Sequence, residues 1–240
     1  MAITRAAARQ TSLFYLMMGL PGPLVLLYLP RAFMVHGDAA ATAQRIASNV
    51  ATYRWLALAD LVSPIGFVLL AWSLFNLFED VDRKQARLLV SFVAVAATLG
   101  LADAALLLVP LVLQSGSSYL TAFTKSQLDA FTLGAFAVRD LLLLVNQAFW
   151  GLWLLPFGIL VIKSGFVPKV IGFFLIIGCV GWLVLCATGI AFPVSLYPGV
   201  AVVNRFAFMM VQPGELLMLL WFIFKGVTLK PIEARLAYAN

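Results

Sequence analysis

Arg139, Asp140, Asn146 and Gln147 stand inside an apolar run, residues 133–162, that is long enough to cross a bilayer. Seven residues make about two helical turns. Arg139 therefore falls above Asn146, and Asp140 above Gln147, on one polar stripe of the stretch AVRDLLLLVNQAFW at Ala137–Trp150. A charged pair and two amides in a lipid-spanning helix are costly unless they face the protein interior or a water-filled cavity. Asp60, Asp103 and Glu215 interrupt other apolar runs, and Arg54 and Arg205 stand near the ends of theirs. Intramembrane groups of this kind anchor ligands, relay protons or act as general acids, or they pair with each other and set helix packing.

The elements that must position them follow from composition. Of 240 residues, 63% are hydrophobic and 11% charged, against about 45–50% and ~25% in a soluble domain. The chain reads as an integral membrane protein, an all-α polytopic helix bundle forming one transmembrane domain over residues 1–240. No soluble catalytic domain fits beside the spans. The net charge of +6 sits at helix ends, so it reflects topology and no nucleic-acid partner is expected. His36 is the only histidine and falls in a loop, which argues against haem and against a histidine-ligated metal. Ser63, Ser73 and Thr188 have no histidine to form a hydrolase triad, and no glycine loop cradles a phosphate. No cofactor and no metal are expected. Cys179 and Cys186 lie seven apart in one helix, about 10 Å, too far for a disulfide.

Six spans are expected at about 11–34, 54–78, 88–113, 133–162, 170–190 and 205–224, with an outer surface helix at about 38–53. Arg5 and Arg9 precede an apolar run too long for a signal peptide, so the first span is retained. Pro21-Gly22-Pro23 should kink or break it. Asp38 should cap the surface helix, and Ser126–Asp129 fits a capping pattern. Pro64 deprives the Asp60 carbonyl of its helical partner. Gly172, Gly178 and Gly181 permit close helix approach. Phe149, Trp150, Trp153, Trp221, Phe222 and Phe224 read as lipid-facing or interfacial aromatics, and Met209, Met210 and Met218 as packing. The tail Lys225–Asn240 is basic.

Six spans put both termini on one side. That side carries Arg5, Arg9, Arg83, Lys84, Arg87, Lys163, Lys169, Lys225, Lys230 and Arg235; the other carries Arg31, Arg45, Arg54 and Lys125. The excess places the termini in the cytoplasm. Counting ~1.5 Å per residue from the outer boundary, Asp60, Asp103, Arg139, Asp140 and Glu215 all fall roughly 9–15 Å deep. Pairing Asp140 with Arg205, or Glu215 with Arg139, would fix helix register. Four carboxyls against Arg54, Arg139 and Arg205 leave one without a basic partner. A protonatable carboxyl beside the Pro213 kink suits a proton-coupled carrier or an acid catalyst.

The segments GDAAATAQRIASN at Gly37–Asn49, YRWLALADL at Tyr53–Leu61, VIKSGFVPKVIG at Val161–Gly172 and GELLMLLWFIFKGV at Gly214–Val227 carry a resemblance. The chain resembles the bacterial membrane-protein family catalogued as domain-of-unknown-function family 4386, from Thr11 to about Val227. The resemblance implies a small multi-helix inner-membrane protein and no established activity. It implies family-like polar positions at Arg54, Asp60, Asp140 and Glu215.

Three functions remain in play. In the first, a small amphipathic or lipid-like molecule enters an outer-half cavity lined by Asp60, Asp103, Asp140 and Glu215, with Asn146 and Gln147 on the same stripe and Arg54, Arg139 or Arg205 anchoring an anionic group. The second is an intramembrane isomerase or cyclase of an apolar substrate, with Asp60 and Glu215 as acid–base candidates. The third is a structural subunit of a larger membrane complex. Membrane lipids are partners under all three.

Overall fold

A computed structural model of the protein describes residues 4–192 and 194–228. The basic residues Lys230 and Arg235, and Pro193 in the loop after the fifth expected span, lie outside the described residues.

All regular structure among the described residues is helical: α1 Arg5–Phe33, α2 Ala39–Ser48, α3 Val50–Phe78, α4 Arg83–Leu113, a 3-10 turn Ser118–Ala122, α5 Lys125–Leu152, α6 Leu154–Ser164, α7 Lys169–Ala191 and α8 Val200–Thr228. Five of these are long and apolar enough to cross a membrane: α1, α3, α4, α7 and the 200–225 part of α8. They match five of the expected spans, each starting up to six residues earlier than expected.

The break in α1 falls where expected. The helix bends at Leu20, takes one turn over Pro21–Pro23, widens into a π-helical turn at Leu24–Tyr28 and resumes at Leu29–Phe33. Pro21, Pro23 and Pro30 supply no N–H, and the wider turn absorbs the mismatch, with the Leu29 N–H donating to the Leu24 carbonyl. Asp38 caps α2 as expected, its Oδ1 accepting from the Ala41 N–H at 2.8 Å. The surface helix stops at Asn49 (φ −134°), so the second span starts at Val50.

The stretch 133–162 is not one helix. It divides at Trp153 into α5 and α6. Pro156 lacks the N–H that the Leu152 carbonyl needs one turn back, which weakens the ladder at this point. The cap of α5 also falls two residues before the expected Ser126–Asp129 pattern. Thr124 and Gln127 form the capping box instead: the Thr124 N–H donates to Gln127 Oε1 at 2.8 Å, and the Gln127 N–H to Thr124 Oγ1 at 3.3 Å. Asp129 is taken by Lys125 at 2.6 Å.

The helices bury polar groups and display apolar ones. Arg139, Asn146 and Asp103 are 1–3% exposed, whereas Trp55, Leu58, Ile65, Val68 and Trp72 on α3 are all well exposed. Such a distribution is adverse in water and favourable in hydrocarbon.

The chain forms two compact units. The first comprises Met1–Leu16, Gly66–Ala96 and Leu144–Asn240. Glycine sets its closest contacts: a Cβ on Gly158 would lie 2.6 Å from the Gly172 carbonyl oxygen, and one on Gly181 2.7 Å from that of Ala207. The expectation for Gly172 and Gly181 therefore holds. Trp153 is 1% exposed and stacks on Phe157, and its ring meets Phe67 edge-on. Phe222 is fully buried as well. These two aromatics are core, not lipid-facing; Phe224, by contrast, is exposed. Met218 packs inside while Met209 faces outward. Cys179 and Cys186 are buried free thiols.

In the same unit Asp82, between α3 and α4, caps α4 through the N–H groups of Lys84 and Gln85 and accepts from Lys163 Nζ at 2.7 Å. Gly165, at φ +70°, reverses the chain just after α6, a conformation glycine adopts freely. The Lys163 hydrogen bond, and then those of the backbone, hold the Asp82 carboxyl below its ordinary range. A carboxyl held low in the fold adds stability above its unfolded pKa of about 3.9, and that contribution is lost as pH falls through the lower folded value. Asp82→Asn should therefore melt below wild type at pH 7 in detergent, and the two melting curves should converge in strong acid. A constant difference across that range would show that the carboxylate charge contributes nothing.

The second unit comprises Met17–Ile65 and Ala97–Leu143. Its core is Val25, Leu29, Phe33, Ile46, Tyr53, Leu56, Ala57, Leu107 and Phe136. At the α1 break Ser63 Oγ donates to the Met18 carbonyl at 2.7 Å, and Tyr53 Oη donates to the Leu107 carbonyl at 2.9 Å.

Candidate functional site

Three helices of the second unit bring ionisable groups together. Arg139 on α5 bonds Asp103 on α4 through Nη2 to Oδ2 at 3.0 Å, and both side chains are almost completely buried, at 2% and 4% exposed. Asp60 on α3, one turn before Pro64, stands close enough to interact with both. The cluster is incompletely bonded. Asp60 and Asp103 stand within carboxyl–carboxyl hydrogen-bonding reach of each other, and Arg139 Nε is buried without a partner. One guanidinium faces two carboxyls, so the cluster is neutral only if one carboxyl keeps a proton. It can take up or release a proton.

Arg139 thus does not pair with Glu215, and Asp140 does not pair with Arg205. The partner of Arg139 is Asp103, the one ionisable group of the expected 88–113 span, because α4 and α5 present these side chains to each other. Glu215 belongs to the first unit, where its polar neighbours are Trp182 and Tyr15. Trp182 Nε1 is directed at the Glu215 carboxyl, and Tyr15 Oη is buried without a partner. Asp140 is exposed, within electrostatic reach of Arg139 and His36, and Arg205 is exposed. Asn146 belongs to the first unit and donates from Nδ2 to the Ala96 carbonyl on α4 at 3.1 Å. Gln147 is half-buried, with Oε1 unpartnered. Of the expected site residues, then, Asp60, Asp103 and Arg139 come together.

Arg54 stands elsewhere in the second unit, in an open-sided cavity of about 940 Å³ formed by α2, the start of α3, the end of α4 and the start of α5. Gln44, Gln114, Lys125 and Asp129 share its lining. Sequence reading missed these four and also Tyr15 and Trp182. Gln114 ends an apolar run and Lys125 opens a helix, so both look like ordinary interfacial residues. Nothing in a lone tyrosine or tryptophan marks it as a neighbour of a carboxyl far along the chain.

The fold and the inverted burial define a multi-pass, all-helical membrane protein with a charged cluster inside one of its units. The chain belongs to the family described as Domain of unknown function (DUF4386), whose model matches residues 11–226. No curated protein and no solved structure matches it.

Proposed function

We propose that this chain crosses a bacterial inner membrane six times, keeps both termini in the cytoplasm, and binds and carries a small amphipathic or lipid-like molecule. The observation that carries the reading is the buried cluster of Asp60, Asp103 and Arg139, in which two carboxyls face one guanidinium. A pair made only to hold helices in register needs one carboxyl. The surplus carboxyl gives the cluster a proton to exchange, as a proton-linked carrier requires. The sixth crossing is α5 with α6. Lys125, which opens α5, shares a cavity with Gln114 at the end of α4, and Lys163, near the end of α6, bonds Asp82 at the start of α4. These contacts join the two ends of the segment to opposite ends of a helix able to span the bilayer.

Native mass spectrometry of the detergent-purified chain tests the reading. A defined small molecule held by wild type and lost in a folded Asp60→Asn variant supports it. A ligand-free spectrum, with variants that only unfold more easily, rejects it in favour of a structural subunit. A second reading, an acid–base enzyme on an apolar substrate, is favoured by Glu215, buried beside the Trp182 N–H and the unpartnered Tyr15 hydroxyl. Turnover of the bound molecule, abolished by Glu215→Gln, would select it.

A further inference from the structure

The cavity at Arg54 lies apart from the Asp60–Asp103–Arg139 cluster in the same unit, and its lining has a definite chemistry. α2 presents Ala40, Ala43, Gln44 and Ala47 to it, a spacing that places them on one helical face. Three alanines on that face leave the room that larger side chains would fill. Val50, Leu111, Leu113 and Leu128 add apolar wall. The volume of about 940 Å³ is that of a small-ligand site.

Its charged lining is Arg54, Lys125 and Asp129. Lys125 is bonded to Asp129 at 2.6 Å. Arg54 has no hydrogen bond or ion pair among the described residues, so two cations against one carboxylate leave one positive charge at Arg54. Gln114 anchors its amide by donating from Nε2 to the Ala43 carbonyl at 3.2 Å. Its Oε1 is buried in the protein without a partner. An occupant must therefore bring one negative charge and an apolar body.

We infer that this cavity is a binding site for a singly charged phosphate ester with an apolar tail, held by Arg54. A planar guanidinium suits the phosphate oxygens, and the alanine face and leucines contact the tail. The inference deepens the proposed function by naming the class of molecule admitted at the membrane surface. A lipid headgroup and a free phosphate ester share this chemistry.

The test uses the full chain in detergent with three probes read by native mass spectrometry: phosphatidylglycerol, phosphatidylcholine and the tailless diester glycerophosphoglycerol. Phosphatidylglycerol should be retained about tenfold or more over phosphatidylcholine, the worth of one charge-assisted hydrogen bond. Arg54→Gln should remove that preference. Ala47→Trp, at an exposed α2 position, should fill the cavity and block occupancy without disturbing the fold. Arg45→Gln, on the same helix but outside the lining, should change neither. Retention of phosphatidylglycerol supports a lipid site; retention of glycerophosphoglycerol alone supports the anion contact and overturns the contact with the tail. Equal retention of the two lipids, or a preference that survives Arg54→Gln, overturns it. Loss of the ligand in Asp60→Asn but not in Arg54→Gln would leave the proposed function standing and refute this site. Loss in Arg54→Gln but not in Asp60→Asn would do the reverse.

Discussion

Arg139→Met should destabilise the protein by about 3–5 kcal/mol, the cost of leaving a buried charge without its partner. Asp103 is 3% exposed and has Arg139 as its bonded cation. Removing the guanidinium strands that carboxylate beside Asp60 in hydrocarbon, so the carboxyl must either stay charged at high cost or bind a proton. Asp103→Leu combined with Arg139→Met should recover most of the loss, since replacing both members of a buried pair by apolar groups is often near neutral. Denaturant unfolding of the two variants in one detergent measures the difference. Equal destabilisation in the single and double variants would show that packing around the arginine stem, and not the stranded charge, dominates. The double variant also bears on function: if it folds as wild type does and still holds the same small molecule, the cluster is structural.

Gly158→Val should be the most damaging change in the first unit. Even the first added carbon would sit 2.6 Å from the Gly172 carbonyl oxygen and 2.7 Å from the Ile176 side chain, so α6 and α7 must separate. Overpacking of this kind costs typically 1–3 kcal/mol and occasionally more, and a rigid backbone contact puts Gly158 at the upper end. Gly134→Ala is the informative contrast. It is an exposed helical glycine whose Cβ would meet nothing within 4 Å, and alanine there should stabilise by up to ~1 kcal/mol through helix propensity. Thermal unfolding of both variants tests the pair of signs. A neutral Gly158→Val would mean that the helices have slack at this contact.

Composition and local pattern determine much of this protein without any tertiary information. Five long apolar helices, the broken first span, the Asp38 cap and the close approach at Gly172 and Gly181 all follow from properties of short segments: hydropathy, proline's missing N–H, a capping carboxylate and the absence of a side chain. Membership of the family is legible in the same way. The depth count was able to bring Asp60, Asp103 and Arg139 to one level, because rise per residue is uniform. Which groups meet was decided only by the fold. Partnership depends on how each helix is rotated about its axis and on where it breaks, and both are set by packing between segments far apart in the chain. Hence Arg139 faces Asp103, Glu215 sits with Tyr15 and Trp182, and Trp153 stacks inside on Phe157. The cavity at Arg54 is the clearest case. Its lining comes from the surface helix and from the ends of three others, and an empty space between elements leaves no mark in the sequence of any one of them.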